Sequence, residues 1–240
     1  MVKNPVNFTS RLTKGETVAA LAYLPVHLWL LPLLLQQMIN RGAMDDVAAN
    51  VICYSVGLLY MLGLLFRFLR RDFDPLCDRP GYCLLEILKN YVLMYLGNMA
   101  IAWLMLLVLG QSGGNPNNAG LMDMAGRGWN QMSAMAVFMA PIVEECMFRA
   151  GIFGTLRRYS RWGAYLVATL AFSFYHVWTY ALIDPIYWLY FIQYVPVSLL
   201  LCRVYERTNS IWGSIFFHML VNYIAMNALK FLETLLGLST

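Results

Sequence analysis

Long apolar stretches alternate with short polar connections along almost the whole chain. Seven stretches are long enough, or nearly so, to cross ~30 Å of hydrocarbon at ~1.5 Å per residue. They are Thr17–Ile39, Val47–Phe66, Tyr91–Leu109, Met132–Leu156, Gly163–Ile183, Ile186–Cys202 and Ile211–Leu229. The sixth is short; Pro185 marks its start and Pro196 a kink. Gln111–Gly120, with Gly-Gly and Asn-Pro-Asn-Asn, reads as an external loop. Arg67–Lys89 interleaves charges with Phe68, Phe73, Leu76 and Tyr82, and reads either as a segment lying along the inner surface or as an ordinary basic loop. The pattern predicts an all-α fold: a polytopic membrane helix bundle of about seven transmembrane helices, forming a single transmembrane domain over residues 1–240.

Composition agrees. Hydrophobic residues make up 60% of the chain and charged ones 12%, about half the charge of a soluble domain, and the mean hydropathy is +0.57. The basic residues are unevenly placed. Lys3, Arg11 and Lys14 precede the first stretch, and Arg67, Arg70, Arg71, Arg79 and Lys89 follow the second. Arg157, Arg158 and Arg161 follow the fourth, and Arg203 and Arg207 the sixth. The alternate connections hold only Arg41, Arg127, none, and Lys230. By the positive-inside rule this gives an integral, multi-pass membrane protein with a cytosolic N-terminus and an external C-terminus. The net charge of +4 then reflects topology and carries no nucleic-acid signature. The first apolar stretch exceeds a signal-peptide core and lacks an Ala-x-Ala exit, so it is expected to stay as an anchor.

Charges break this pattern at one place. Glu144-Glu145-Cys146-Met147-Phe148-Arg149-Ala150 lies inside the fourth apolar stretch, where a charge costs at least a few kcal/mol unless a partner or a function holds it. Glu145 and Arg149 are four apart and share a helix face, so they can neutralise each other. Glu144 points elsewhere and has no partner in its own helix. A Glu–Arg clamp between helices accounts for Glu145 and Arg149 and leaves Glu144 unexplained. Later stretches carry His176 and His218. Glu144 and His176 each lie ~20 Å from the cytosolic end of their helices, and His218 ~12 Å. Phe172 and His176 share a face, as do His218 and Asn222. His27, between Pro25 and Pro32, reads as a histidine bonded to a neighbouring backbone carbonyl, and Asn98 as bonding a neighbouring helix. Ser214 lacks a Gly-x-Ser-x-Gly elbow, and no His-Glu-x-x-His is present.

An acid, two histidines and an asparagine in a hydrated pocket fit hydrolysis of an amide. Glu144 can serve as general base towards water, with His176 holding that water. His218 and Asn222 can donate to the tetrahedral oxyanion. Two alternatives stay open: a His₂Glu zinc site on Glu144, His176 and His218, and a non-catalytic membrane protein, such as a transporter using Glu144 and His176 as a proton relay or an immunity protein or scaffold retaining the site.

Taken in order, Glu144-Glu145-x-x-x-Arg149, Phe172-x-x-x-His176 and His218-x-x-x-Asn222 resemble the three motifs of the CAAX protease and bacteriocin-processing (CPBP, or Abi) family of intramembrane proteases, which includes the type II CAAX prenyl endopeptidases. The resemblance covers roughly Met132–Leu229, the expected catalytic core over 132–229. It implies a glutamate-dependent endopeptidase in which Glu144 and His176 activate water, His218 and Asn222 stabilise the oxyanion, and Glu145 and Arg149 support them. The family was long labelled metallo- and later viewed as metal-free, so no cofactor is expected. The expected partners are a peptide or membrane-protein substrate and the lipid bilayer. In the prenyl endopeptidases the site opens to the cytosol, which the depths here permit; nothing in the sequence shows a prenyl pocket.

Overall fold

A computed structural model of the protein describes residues 8–110 and 115–235, and every element among them is helical. The helices are α1 (Lys14–Asn40), α2 (Asp46–Leu64), α3 (Pro80–Leu109), α4 (Pro116–Arg127), α5 (129–156), α6 (Arg161–Ala181), α7 (Pro185–Thr208) and α8 (Ile211–Leu235). Two short helical turns, Phe66–Arg71 and Asp74–Asp78, join α2 to α3. Each expected apolar stretch falls within a single helix, apart from one or two residues at the ends of the second and fifth. Four helices, α1, α2, α3 and α7, are long and apolar enough to cross a membrane, which makes this a multi-pass membrane protein. Of the remaining four, α5, α6 and α8 carry the polar groups of the site described below.

Helix starts are set by local chemistry. Thr13 caps α1 with a reciprocal box: its hydroxyl accepts from the Glu16 backbone N–H, and the Glu16 carboxylate accepts from the Thr13 N–H. Asp45 caps α2, Ser160 caps α6 and Asp184 caps α7, where Pro185 takes the first turn as expected.

Three expectations need correcting. The Asn-Pro-Asn-Asn segment is not loop: Asn115 accepts from the N–H groups of Asn117 and Asn118 and caps α4, with Pro116 in its first turn. Residues 111–114 of the expected loop lie outside the described residues. Helix α3 begins at Pro80, well before Tyr91, because its early charges find partners: Glu86 bonds Lys89 at 3.3 Å and faces Arg207 at 3.7 Å. Asn98, expected to bond a neighbouring helix, is exposed on α3.

Helix α5 is central, packed against α1, α2, α6 and α8, whereas α3 touches mainly α7 and α8. The contrast shows in burial: the most apolar window of α3 is only 11% buried, leaving its leucines and Trp103 for lipid. The approach of α2 to α5 is close at Gly57, where a Cβ would meet Val143 at 3.0 Å. Within α5 the backbone is wound as a π-helix at Met135–Met139 and again at Glu145–Phe153, where the Gly154 N–H reaches back five residues to the Arg149 carbonyl. Such widened turns gather at functional sites. The first described residues, an irregular segment ahead of α1, close one end of the bundle. Phe8 and Leu12 are buried, Phe8 packs edge-on against Tyr205 at 4.9 Å, and the Thr9 and Ser10 N–H groups donate to Asn209.

Candidate active site

The Glu145–Arg149 pair forms as its spacing predicts, at 3.2 Å with both side chains fully buried. Neither charge is left alone. Arg149 also donates to the Ser198 hydroxyl at 3.1 Å and lies 4.0 Å over the Phe172 ring. Glu145 accepts from Ser214 at 2.6 Å and bonds His218 Nδ1 at 2.8 Å. Ser214, considered above only for a nucleophile elbow, and Ser198, which the sequence did not single out, therefore complete this network. Phe172 touches three members of the site, with its ring 4.3 Å from that of His176 and 5.9 Å from that of His218.

Glu144 faces the other way, as expected, and is only 3% exposed. Its Oε2 sits 3.8 Å from His176 Nε2 and 3.9 Å from His218 Nε2. The tautomers follow from the partners. His176 Nδ1 lies 2.9 Å from the Phe172 carbonyl, which only accepts. His218 Nδ1 lies against a carboxylate oxygen, which also only accepts. Both Nδ1 atoms are thus donors, and in the neutral rings both Nε2 lone pairs turn towards Glu144. Three acceptors converge on one point, the arrangement that orients a donor such as water.

The other oxygen of Glu144 is held by a chain that hydropathy did not reveal. Tyr54 of α2 donates to Oε1 at 2.9 Å; Tyr54 and Tyr175 hydroxyls lie 2.7 Å apart; Tyr175 and His27 Nε2 lie 3.1 Å apart. Each hydroxyl has one proton. Since Tyr54 gives its own to Glu144, Tyr175 donates to Tyr54 and His27 donates to Tyr175. His27 is therefore bonded to a phenol, not to the expected backbone carbonyl. It is placed for this by the π-wound turn Val26–Leu30, which sits between Pro25 and Pro32. Tyr194 of α7 stacks on His176 with ring centres 4.5 Å apart and fixes its plane. Only the aromatic content of the spans hinted at these residues, and it reads equally as core.

Asn222, one turn beyond His218, donates from its amide nitrogen to the Ala136 carbonyl at 2.8 Å and keeps a second N–H. It lines, with Glu144, His176 and His218, a cavity of about 700 Å³. Tetrahedral zinc with N and O ligands places its donor atoms roughly 3.4 Å apart. The separations here are wider, and among the described residues no group of three His, Cys, Asp or Glu side chains is placed to hold a metal ion.

Residues 127–224 match the family model described as type II CAAX prenyl endopeptidase Rce1-like, so the family resemblance carried by the motifs holds over that segment. The chain is also similar to UPF0177 protein YaiH of Lactococcus lactis subsp. lactis (strain IL1403), with 31% identity over 99 residues. That match spans 41% of this chain and 38% of the relative, so well under two thirds of the relative is covered. No solved structure matches.

Proposed function

We propose that this protein is an intramembrane endopeptidase of the glutamic type. The observation that carries the reading is the convergence of two imidazole Nε2 atoms on the Glu144 carboxylate, at 3.8 and 3.9 Å, in a buried cavity. Water held there by Glu144 and His176 loses a proton to Glu144 and attacks the peptide carbonyl. The second N–H of Asn222 donates to the developing oxyanion, and His218 does so in its doubly protonated form, with Nδ1–H on Glu145 and Nε2–H on the oxyanion, keeping both protons through the cycle. Glu144 then returns the proton to the leaving amine. The family match over 127–224 supports this class of chemistry, and the substrate is a peptide or membrane-protein segment.

The reading includes the wider architecture. Helices α1, α2, α3, α5, α6, α7 and α8 each cross the bilayer, with the N-terminus cytosolic and the C-terminus external. The segment 132–229 is the catalytic core.

The test compares membrane peptidomes of cells carrying wild type, Glu144→Ala or His176→Ala, with folded and inserted protein checked in each. Peptides that accumulate uncut in both variants identify the substrate. Unaltered turnover in either variant refutes the assignments and leaves the non-catalytic reading.

A further inference from the structure

The cavity is built from one end of the bundle. Helix α5 contributes residues between Met135 and Glu144, none beyond its middle turn; α2 contributes Asn50, Cys53 and Tyr54, from its early turns; α6 contributes residues between Tyr175 and Tyr180, from its last turns. Helix α8 adds His218 onward, and α4 lies across the same end with Asn117, Asn118, Leu121 and Met124 on the lining. Arg127 holds α4 there through Asp46 of α2, at 2.6 and 2.7 Å. No lining residue comes from the opposite ends of these helices among the described residues.

That opposite end is shut. Phe8, Phe153 and Tyr205 pack together in its core, Arg158 donates to the Leu12 carbonyl at 2.8 Å, and Glu206 binds Arg157 and Arg161 at 2.6 and 2.7 Å. It is also the basic end. Arg11, Lys14 and the basic residues of 67–79, 157–161 and 203–207 all lie there, whereas the open end has Arg41, Arg127 and Lys230. Basic connections stay in the cytosol because lysine and arginine resist translocation. The cavity mouth therefore lies on the far side.

We infer that the cavity is entered from the extracytosolic face and that its substrate is a peptide segment exposed on, or released to, that face. The carboxamides of Asn50, Asn117, Asn118 and Asn222 line the route inward and offer the paired donors and acceptors that an extended peptide backbone requires. This reverses the cytosolic opening implied by the prenyl endopeptidases. The nature of the substrate rests on the proteolytic reading; the side of entry does not.

The test needs no cleavage assay. Full-length chains carrying Asn118→Cys on α4, or Ala225→Cys on α8, are expressed in intact cells and treated with a membrane-impermeant maleimide. Native Cys77, exposed at the basic end, is the internal control. Both introduced thiols are expected to react in intact cells, with Cys77 labelled only after permeabilisation. Because the two substitutions sit on different helices, misfolding of one leaves the other to report. Labelling of Cys77 in intact cells, with residues 118 and 225 reacting only after permeabilisation, overturns the inference. Proteolysis could still stand in that case, and a failed Glu144→Ala comparison would leave the sidedness intact.

Discussion

Tyr54 donates its phenolic proton to Glu144 across 2.9 Å, and this single bond fixes the direction of those behind it, through Tyr175 to His27. The chain leaves Glu144 Oε1 occupied and turns Oε2 towards the two imidazoles. A glutamate with free rotation would not present one defined oxygen to a substrate water. Preorganisation of this kind is worth most in a site that excludes bulk solvent.

Tyr54→Phe removes the bond and keeps the ring. A hydrogen bond to a charged group is worth ~1.5–3 kcal/mol, so cleavage of the trapped substrate should fall by roughly 10- to 100-fold. The melting temperature in detergent should change little. A normal rate would detach Tyr54 from the chemistry.

Arg149→Ala strands the buried Glu145 carboxylate, and breaking such a pair costs ~3–5 kcal/mol. The yield of inserted protein and its melting temperature should fall sharply. The double variant Glu145→Gln with Arg149→Met, which leaves no stranded charge, should be clearly more stable than Arg149→Ala. A stable but wholly inactive Arg149→Ala would instead place this pair in the reaction.

Asp72, in the connection between α2 and α3, gives a pH signature. Burial pushes its carboxyl up from 3.8 to about 6, against the opposing pull of the Ile211 N–H it accepts and of Arg71 nearby. The folded state thus holds an extra proton between those two values, so stability contributed by this group is present at low pH and lost as pH rises from about 4 to about 6. Asp72→Asn, which keeps an acceptor for Ile211, should flatten that part of the profile. Melting curves across pH 4 to 7 in both proteins measure it; an unchanged slope would exclude Asp72 as the source.

Metal dependence separates the two hydrolytic readings. Purified protein is expected to lack stoichiometric zinc and to cut its substrate in the presence of a chelator. Zinc near one equivalent, with chelator-sensitive cleavage restored by added zinc, would establish the His₂Glu alternative on Glu144, His176 and His218.

Much of the fold was legible because lipid-facing helices need long apolar runs, and all seven such runs fall in helices. The Glu145–Arg149 pair was legible for a related reason: two charges at helical spacing in an apolar run can hardly avoid each other. Helix α4 was missed because Asn-Pro-Asn-Asn serves turns and helix starts alike. Asn115 as a cap followed by Pro116 was the signal available. His27, Tyr54 and Tyr175 could not be read, since the value of a phenol depends on what its hydroxyl meets, and these three come from three different helices. The side on which the cavity opens also depends on packing: depth along a helix is symmetric until something closes one end.

That closure is made by Phe8 to Leu12, whose partner Asn209 lies 200 positions further along the chain from Thr9. During synthesis these early residues emerge long before α7 exists, and they must wait beside the bilayer until it arrives. A late seam is therefore stitched by a segment that precedes every helix described, so a bulky group attached at residue 8 should be felt at Tyr205, against the far end of the helix that carries Glu144.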